Sequence, residues 1–238
     1  MEKACFLPTN EGNPVWHPYR ELLGSLMYTI LCVRPDISFA VAYLGRFQNK
    51  PGEAHWQALK RVVQYIKGTK NLKFQFKRDE KAEALIGYAD TDDRKSVSGY
   101  VFKIFGKTVS WASREQQTVA LSFCEAEYAA LSVAASKVLW LQGILEDLQQ
   151  VPSGKPFRIF ADNHGCIAMA TNTENKRVKH IDVKHHFLRE HVAHGRLQIV
   201  AIGTANQLAD AFTKALEPGR FCNLCSLLGL TDSRRVLK

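Results

Sequence analysis

The chain has 238 residues, room for one large domain or two small ones, and 46% are hydrophobic against 23% charged. That balance excludes a disordered chain and supports a sizeable core. An excess of 32 Lys and Arg over 23 Asp and Glu gives a formal net charge of +9, which points to a polyanionic partner, usually nucleic acid. Cysteines scattered at positions 5, 32, 124, 166, 222 and 225 exclude a disulfide framework, and Cys222-Asn-Leu-Cys225 is half of a zinc site with no second half.

The first residues, "MEKACFLPTNEG", lack the apolar core of a signal peptide. The longest uncharged apolar run, 22–33, is too short to span a bilayer. The expected setting is intracellular, cytoplasmic or nuclear, with no membrane partner. Residues 1–16 read as a loosely ordered N-terminus. "HPYRELLGSLMYTILC" reads as a helix, "RPDISFAVAYLGRF" as a second with Pro35 in its first turn, and "PGEAHWQALKRVVQYIKGT" as a third closed by Gly68. Residues 17–75 are therefore expected to form a small helical unit.

Beyond "NLKFQF" the period changes. "EALIGYAD" (83–90), "GYVFKIFG" (99–106) and "KTVSWAS" (107–113) read as an antiparallel meander, the last two strands joined at Gly106-Lys107. A long helix follows over about 123–148, then a strand "KPFRIFAD", a short helix "HGCIAMAT", a helix "HIDVKHHFLREHVAHG", a strand "RLQIVAIG" and a last helix "NQLADAFTKAL". Three strands followed by alternating helix and strand predict an α/β fold with a mixed sheet and flanking helices over 81–217. Residues 218–238 are left as a tail.

Two of these strands end in aspartate, at Asp90 and Asp162, and sheet ends are where α/β proteins place ligands. A third aspartate, Asp210, sits among apolar residues in "QLADAFTK", where it is unfavourable unless it faces a site. The segment "LSFCEAEYAAL" (121–131) adds two glutamates. At 100° per residue, Leu131, Ala134, Val138 and Leu145 fall within about 40° of Glu127, so Glu127 lies on the inward face. Glu125 points away and completes Ser122-x-x-Glu125, a capping-box pattern. An inward glutamate with aspartates from two strands and a late helix suits divalent metal, because Mg²⁺ prefers carboxylate oxygens. Two such ions about 4 Å apart can activate water against a phosphodiester.

The words "YRELLGSLMY", "HWQALKRVVQYIKGT", "DRKSVSGYVF", "SWASREQQTVALSFCEAEYAAL", "ADNHGCIAMATN", "VKHIDVKHHFLRE" and "NQLADAFTKAL" resemble the C-terminal part of copia-type LTR-retrotransposon Pol polyproteins. The resemblance implies a thumb or connection region of a reverse transcriptase followed by a ribonuclease H-like domain, with a five-stranded mixed sheet. It implies Asp90, Glu127, Asp162 and Asp210 as metal-binding and catalytic carboxylates, Mg²⁺ as the cofactor with Mn²⁺ able to replace it, and cleavage of RNA in RNA–DNA hybrids. A polymerase domain supplied in trans is an expected partner. Arg94, Lys95, Lys176, Arg177 and Lys179 are candidate phosphate contacts, and Asn163 a candidate hydrogen-bonding partner of the substrate. His180, His185 and His186 form a cluster with no evident mate.

The chain departs from that family in three ways. "GYADTDDRKS" is about six residues shorter after the first aspartate than the family pattern. "GTANQ" carries no histidine before the last helix, and no Tyr-x-Asp-Asp polymerase motif occurs. The short loop is expected to cost chemistry more than fold. Two other readings stand beside the nuclease: a nucleic-acid-binding remnant that does not cut, and a protein-interaction or assembly module.

Overall fold

The computed structural model describes residues 7–76, 79, 81–92, 97–116, 122–151, 154–171 and 183–232, the side chains of 183–185 excepted. These residues fall into two compact units. One comprises the chain up to Phe76 together with everything from Lys214 on, and the other runs from Lys77 to Thr213.

The first unit holds α1 (Tyr19–Cys32), a 3₁₀ turn (Pro35–Ile37), α2 (Ser38–Gly45), α3 (Glu53–Gly68) and the strand β1 (Leu72–Phe74). Helix α1 buries Tyr19, Leu23, Leu26 and Ile30, the helical spacing read from the sequence. Helix α3 starts with a one-way cap: the Gly52 N–H donates to Nδ1 of His55 at 2.8 Å, and Gly52 has no side chain to return a bond. Segment 7–16 has no regular structure yet is tied to α3: the Pro8 carbonyl contacts His55 Nε2 at 2.9 Å, and the Val15 N–H donates to the Pro51 carbonyl.

The words "RPD" place a buried ion pair in this unit. Arg34 and Asp36 are 5% and 4% exposed and bond through two nitrogens, at 2.9 and 2.7 Å. Tyr65 donates to the same carboxylate at 2.8 Å, and Arg34 reaches Thr69 at 2.7 Å. A buried pair persists only when its remaining donors and acceptors are satisfied, which Tyr65 and Thr69 accomplish.

The sheet-bearing unit contains β2 (Leu85–Thr91), β3 (Val97–Ile104), β4 (Lys107–Glu115), α4 (Phe123–Asp147), β5 (Phe157–Ala161), α5 (His164–Thr171), α6 (Val183–Ala193), β6 (Leu197–Ala201), a 3₁₀ turn (Thr204–Asn206) and α7 (Asp210–Thr213). Spatial order is β4-β3-β2-β5-β6. The first three strands are antiparallel, while β2–β5 and β5–β6 are parallel. This is the ribonuclease H-like mixed sheet expected from the sequence. Helix α4 packs its apolar arc on Leu85, Ala89, Phe157, Ile159 and Ala161. At 25 residues α4 is long and apolar enough to cross a membrane by length and composition alone, but here it is the core helix of the sheet.

Three expectations shift. The β3–β4 turn is Phe105-Gly106, both at positive φ (46° and 78°), with Lys107 already in the strand. Such a two-residue turn matches the right-handed twist of a hairpin. The last helix shrinks to Asp210–Thr213, because Gln207 and Ala209 turn instead to hydrogen-bond locally and to β2. Within the expected tail, the described residues 218–232 are structured: α8 (Pro218–Leu227) and β7 (Leu230–Asp232) belong to the first unit, where β7 pairs antiparallel with β1. Pro218 at the first helical position explains where α8 begins.

Replacing Asp36 by Ala leaves the Arg34 guanidinium buried without its carboxylate. The first unit should lose about 3–5 kcal/mol, read as a lower urea midpoint followed by circular dichroism.

Candidate metal centre

The site grows from the parallel pairing of β2 and β5. Their register sets Tyr88 beside Phe160, and the two rings stack with centroids 5.1 Å apart. Two residues further along each strand direction stand Asp90 and Asp162, so the pairing delivers two carboxylates to one end of the sheet. Ser122 caps α4, its Oγ accepting from the Glu125 N–H at 3.2 Å. That cap anchors the helix start, and Glu127 follows in the second turn, 3% exposed. The buried arc of α4 is wider than the sequence suggested and also takes in Ala126 and Ser132.

Asp90, Glu127 and Asp162 each offer a carboxylate oxygen lying within 4.8 Å of the other two. Asp90 is 1% exposed, and Asp162 is half-buried. Two ionised carboxylates at that spacing repel by roughly 3 kcal/mol at an effective dielectric near 20. Three of them call for a counter-charge. Every donor is an oxygen, the set that suits a hard divalent cation such as Mg²⁺.

Asp210 stands outside that triplet. It begins α7 and is fully buried. Helix α7 rests on the sheet at Gly99, the cross-strand partner of Asp90. A Cβ on Gly99 would lie 2.7 Å from both Phe212 Cβ and Thr213 Cγ2 and 3.1 Å from the Ala209 carbonyl. Only a missing side chain allows this approach. Helix α7, which Asp210 begins, thus lies against β3 opposite Asp90, while the Asp210 carboxylate is not among the three that lie within 4.8 Å.

Several supporting residues were not read from the sequence. Thr213 Oγ1 donates to Asp90 Oδ2, and Thr204 Oγ1 donates to Asp162 Oδ2 at 3.0 Å. Gln207, fully buried, donates to the Ala89 carbonyl at 3.0 Å. Gln116 donates to Ser98 Oγ at 2.7 Å and to the Ala126 carbonyl at 2.8 Å, joining β3 to the first turn of α4. These partners are 10 to 123 residues apart in sequence and follow no periodic pattern.

Asn163 caps α5: its Oδ1 accepts from the Cys166 N–H at 2.9 Å and from Cys124 Sγ at 3.5 Å. Burial first, then the Glu127 charge, pushes the Cys166 thiol well above its usual range. Burial likewise pushes the Tyr128 hydroxyl up to about 12. Both therefore stay protonated at neutral pH. The hairpin after Asp90 closes at once, with Asp92 N–H bonded to the Val97 carbonyl. The short loop thus leaves Asp90 in the ladder opposite Gly99. Arg94, Lys95, Lys176, Arg177, Lys179 and His180 lie outside the described residues, as does the side chain of His185, while His186 is exposed.

No family model matches the chain. It is 36% identical over 235 residues to the retrovirus-related Pol polyprotein from transposon TNT 1-94 of Nicotiana tabacum, a match that covers 95% of this chain and 17% of that protein. It is 45% identical over 130 residues to secreted RxLR effector protein 161 of Plasmopara viticola, covering 52% of this chain and 91% of the effector. Among solved structures, a foamy viral protease-reverse transcriptase dRH in complex with double-stranded DNA aligns with a TM-score of 0.50 and 11% identity, covering 82% of this chain and 33% of that one. This last likeness is one of fold alone.

Gly99→Ala should force α7 away from β3 and disturb Asp90. Mn²⁺ affinity should fall about tenfold or more, measured by calorimetry, while far-ultraviolet circular dichroism at 20 °C (~293 K) keeps its native shape.

Proposed function

The chain belongs to the Pol polyproteins of copia-type retrotransposons, and from that premise we propose that its sheet-bearing unit is a ribonuclease H-type endonuclease that cuts the RNA strand of RNA–DNA hybrids. The observation that carries the reading is the convergence of Asp90, Glu127 and Asp162 within 4.8 Å. The chain spans only 17% of the tobacco relative, so the activity proposed is that of this segment.

In this reading Asp90, Glu127, Asp162 and Asp210 hold two Mg²⁺ ions. Bound there, the ions supply the Lewis acidity that activates water and stabilises the leaving oxygen of a phosphodiester. The carboxylates hold and orient. The net charge of +9 supports binding to a polyanion, and Arg94, Lys95, Lys176, Arg177 and Lys179 are proposed to contact its phosphates. RNA is distinguished from DNA through its 2′-hydroxyls. A reverse transcriptase polymerase domain, supplied elsewhere in Pol or in trans, is the proposed partner.

One observation favours a second reading. A stretch of 130 residues, 52% of the chain, is 45% identical to a protein named as a secreted effector and covers 91% of it, so a similar stretch stands outside a Pol polyprotein. In that reading the unit binds without cutting.

The purified chain should cut RNA within a labelled hybrid in Mg²⁺ or Mn²⁺, spare single-stranded RNA, and stop in EDTA. Hybrid that is bound yet intact at every metal concentration would establish the second reading instead. Glu127→Gln should lower the cleavage rate by at least about 100-fold, as expected for loss of a group that acts at the reacting centre. Glu125→Ala, in the cap turn, should cost about 1 kcal/mol of stability or less and leave the rate near that of the wild type.

A further inference from the structure

Thr213 stands 123 residues from Asp90 in sequence and donates its hydroxyl to Asp90 Oδ2. Both side chains are buried, Thr213 at 0% and Asp90 at 1% exposure. Gly99 makes the contact possible by letting Thr213 Cγ2 pack against the strand that pairs with Asp90. A second anchor lies six residues earlier, where Gln207 binds the carbonyl of Ala89, the residue before Asp90. Residues 207 and 213 therefore bracket Asp210 and grip two consecutive residues of β2. Thr204, three residues before Gln207, bonds the other strand-borne carboxylate, Asp162.

We infer that Thr213 is a positioning residue for metal binding: its hydroxyl fixes the rotation of the Asp90 carboxylate and couples the strand bearing Asp90 to the helix bearing Asp210. The inference rests on the proposed metal centre. Its physical basis is general. A carboxylate with one oxygen engaged by a buried donor loses a rotational choice, and the groups that orient metal ligands set affinity almost as strongly as the ligands do. Both methyl and hydroxyl of Thr213 are engaged here, the methyl against Gly99 and the hydroxyl on Asp90, so the two contributions are separable by substitution.

The test titrates Mn²⁺ calorimetrically into the full chain as wild type, Thr213→Val and Thr213→Ser, with apo-protein melting recorded for each. Valine keeps the shape and removes the hydroxyl, and serine keeps the hydroxyl and removes the methyl. Thr213→Val should bind Mn²⁺ about tenfold more weakly, and Thr213→Ser should stay within about twofold of the wild type. If the valine protein unfolds below the assay temperature, Thr213→Ala measured against Thr213→Ser isolates the hydroxyl, since both lack the methyl. A folded valine variant that binds as tightly as the wild type overturns the inference and leaves the metal centre standing. A serine variant that weakens about tenfold while the valine variant stays within about twofold of the wild type overturns it too, by assigning the effect to the methyl. A wild type that binds no Mn²⁺ overturns the metal centre and the inference together.

Discussion

Mutual repulsion among Asp90, Glu127 and Asp162 is the constraint on which the rest of the structure turns. Three carboxylates lie within 4.8 Å of one another, two of them nearly inaccessible to water, and the strands, α4 and the hydroxyls of Thr213 and Thr204 hold them there. Parallel pairing of β2 with β5 aligns two strand ends. The packing of α4 on Leu85, Ala89 and Ile159 brings the third carboxylate in. The hydrophobic core offsets the electrostatic cost of the site, and a divalent cation would relieve it.

The supports of the site come from late in the chain. Thr204, Gln207 and Thr213 reach back to Asp162, Ala89 and Asp90, so a stretch of ten residues spans both strands that carry the site. Gly99 admits that stretch to the sheet. A truncation before this stretch would remove Asp210, three hydrogen-bonding partners and the buried Leu208, Ala209, Ala211 and Phe212 at once. The strands and α4 carry three of the carboxylates, and residues 204–213 complete the site.

Much of this was legible in the sequence. Short apolar runs ended by Asp90 and Asp162 marked the strands, and helical angles separated the buried Glu127 from Glu125 of the cap turn. Those readings depend on local periodicity, which survives without knowledge of partners. The contacts of Thr213, Gln207 and Gln116 depend on which segments meet in space, and no local pattern announces them. The extent of the last helix failed for a related reason. "NQLADAFTKAL" has helical spacing, but Gln207 satisfies backbone groups of β2 and Ala209 instead, and only Asp210–Thr213 remain helical. Strands β1 and β7, three residues each, are too short for alternation to show.

The central claim is that the three converging carboxylates bind a divalent cation. Crystals of the full chain soaked in Mn²⁺ and measured at the manganese absorption edge test it directly. The account predicts anomalous density among Asp90, Glu127 and Asp162, lost when Glu127 is replaced by Gln. Anomalous density confined to other surfaces, with the three carboxylates left without metal at saturating Mn²⁺, would contradict it.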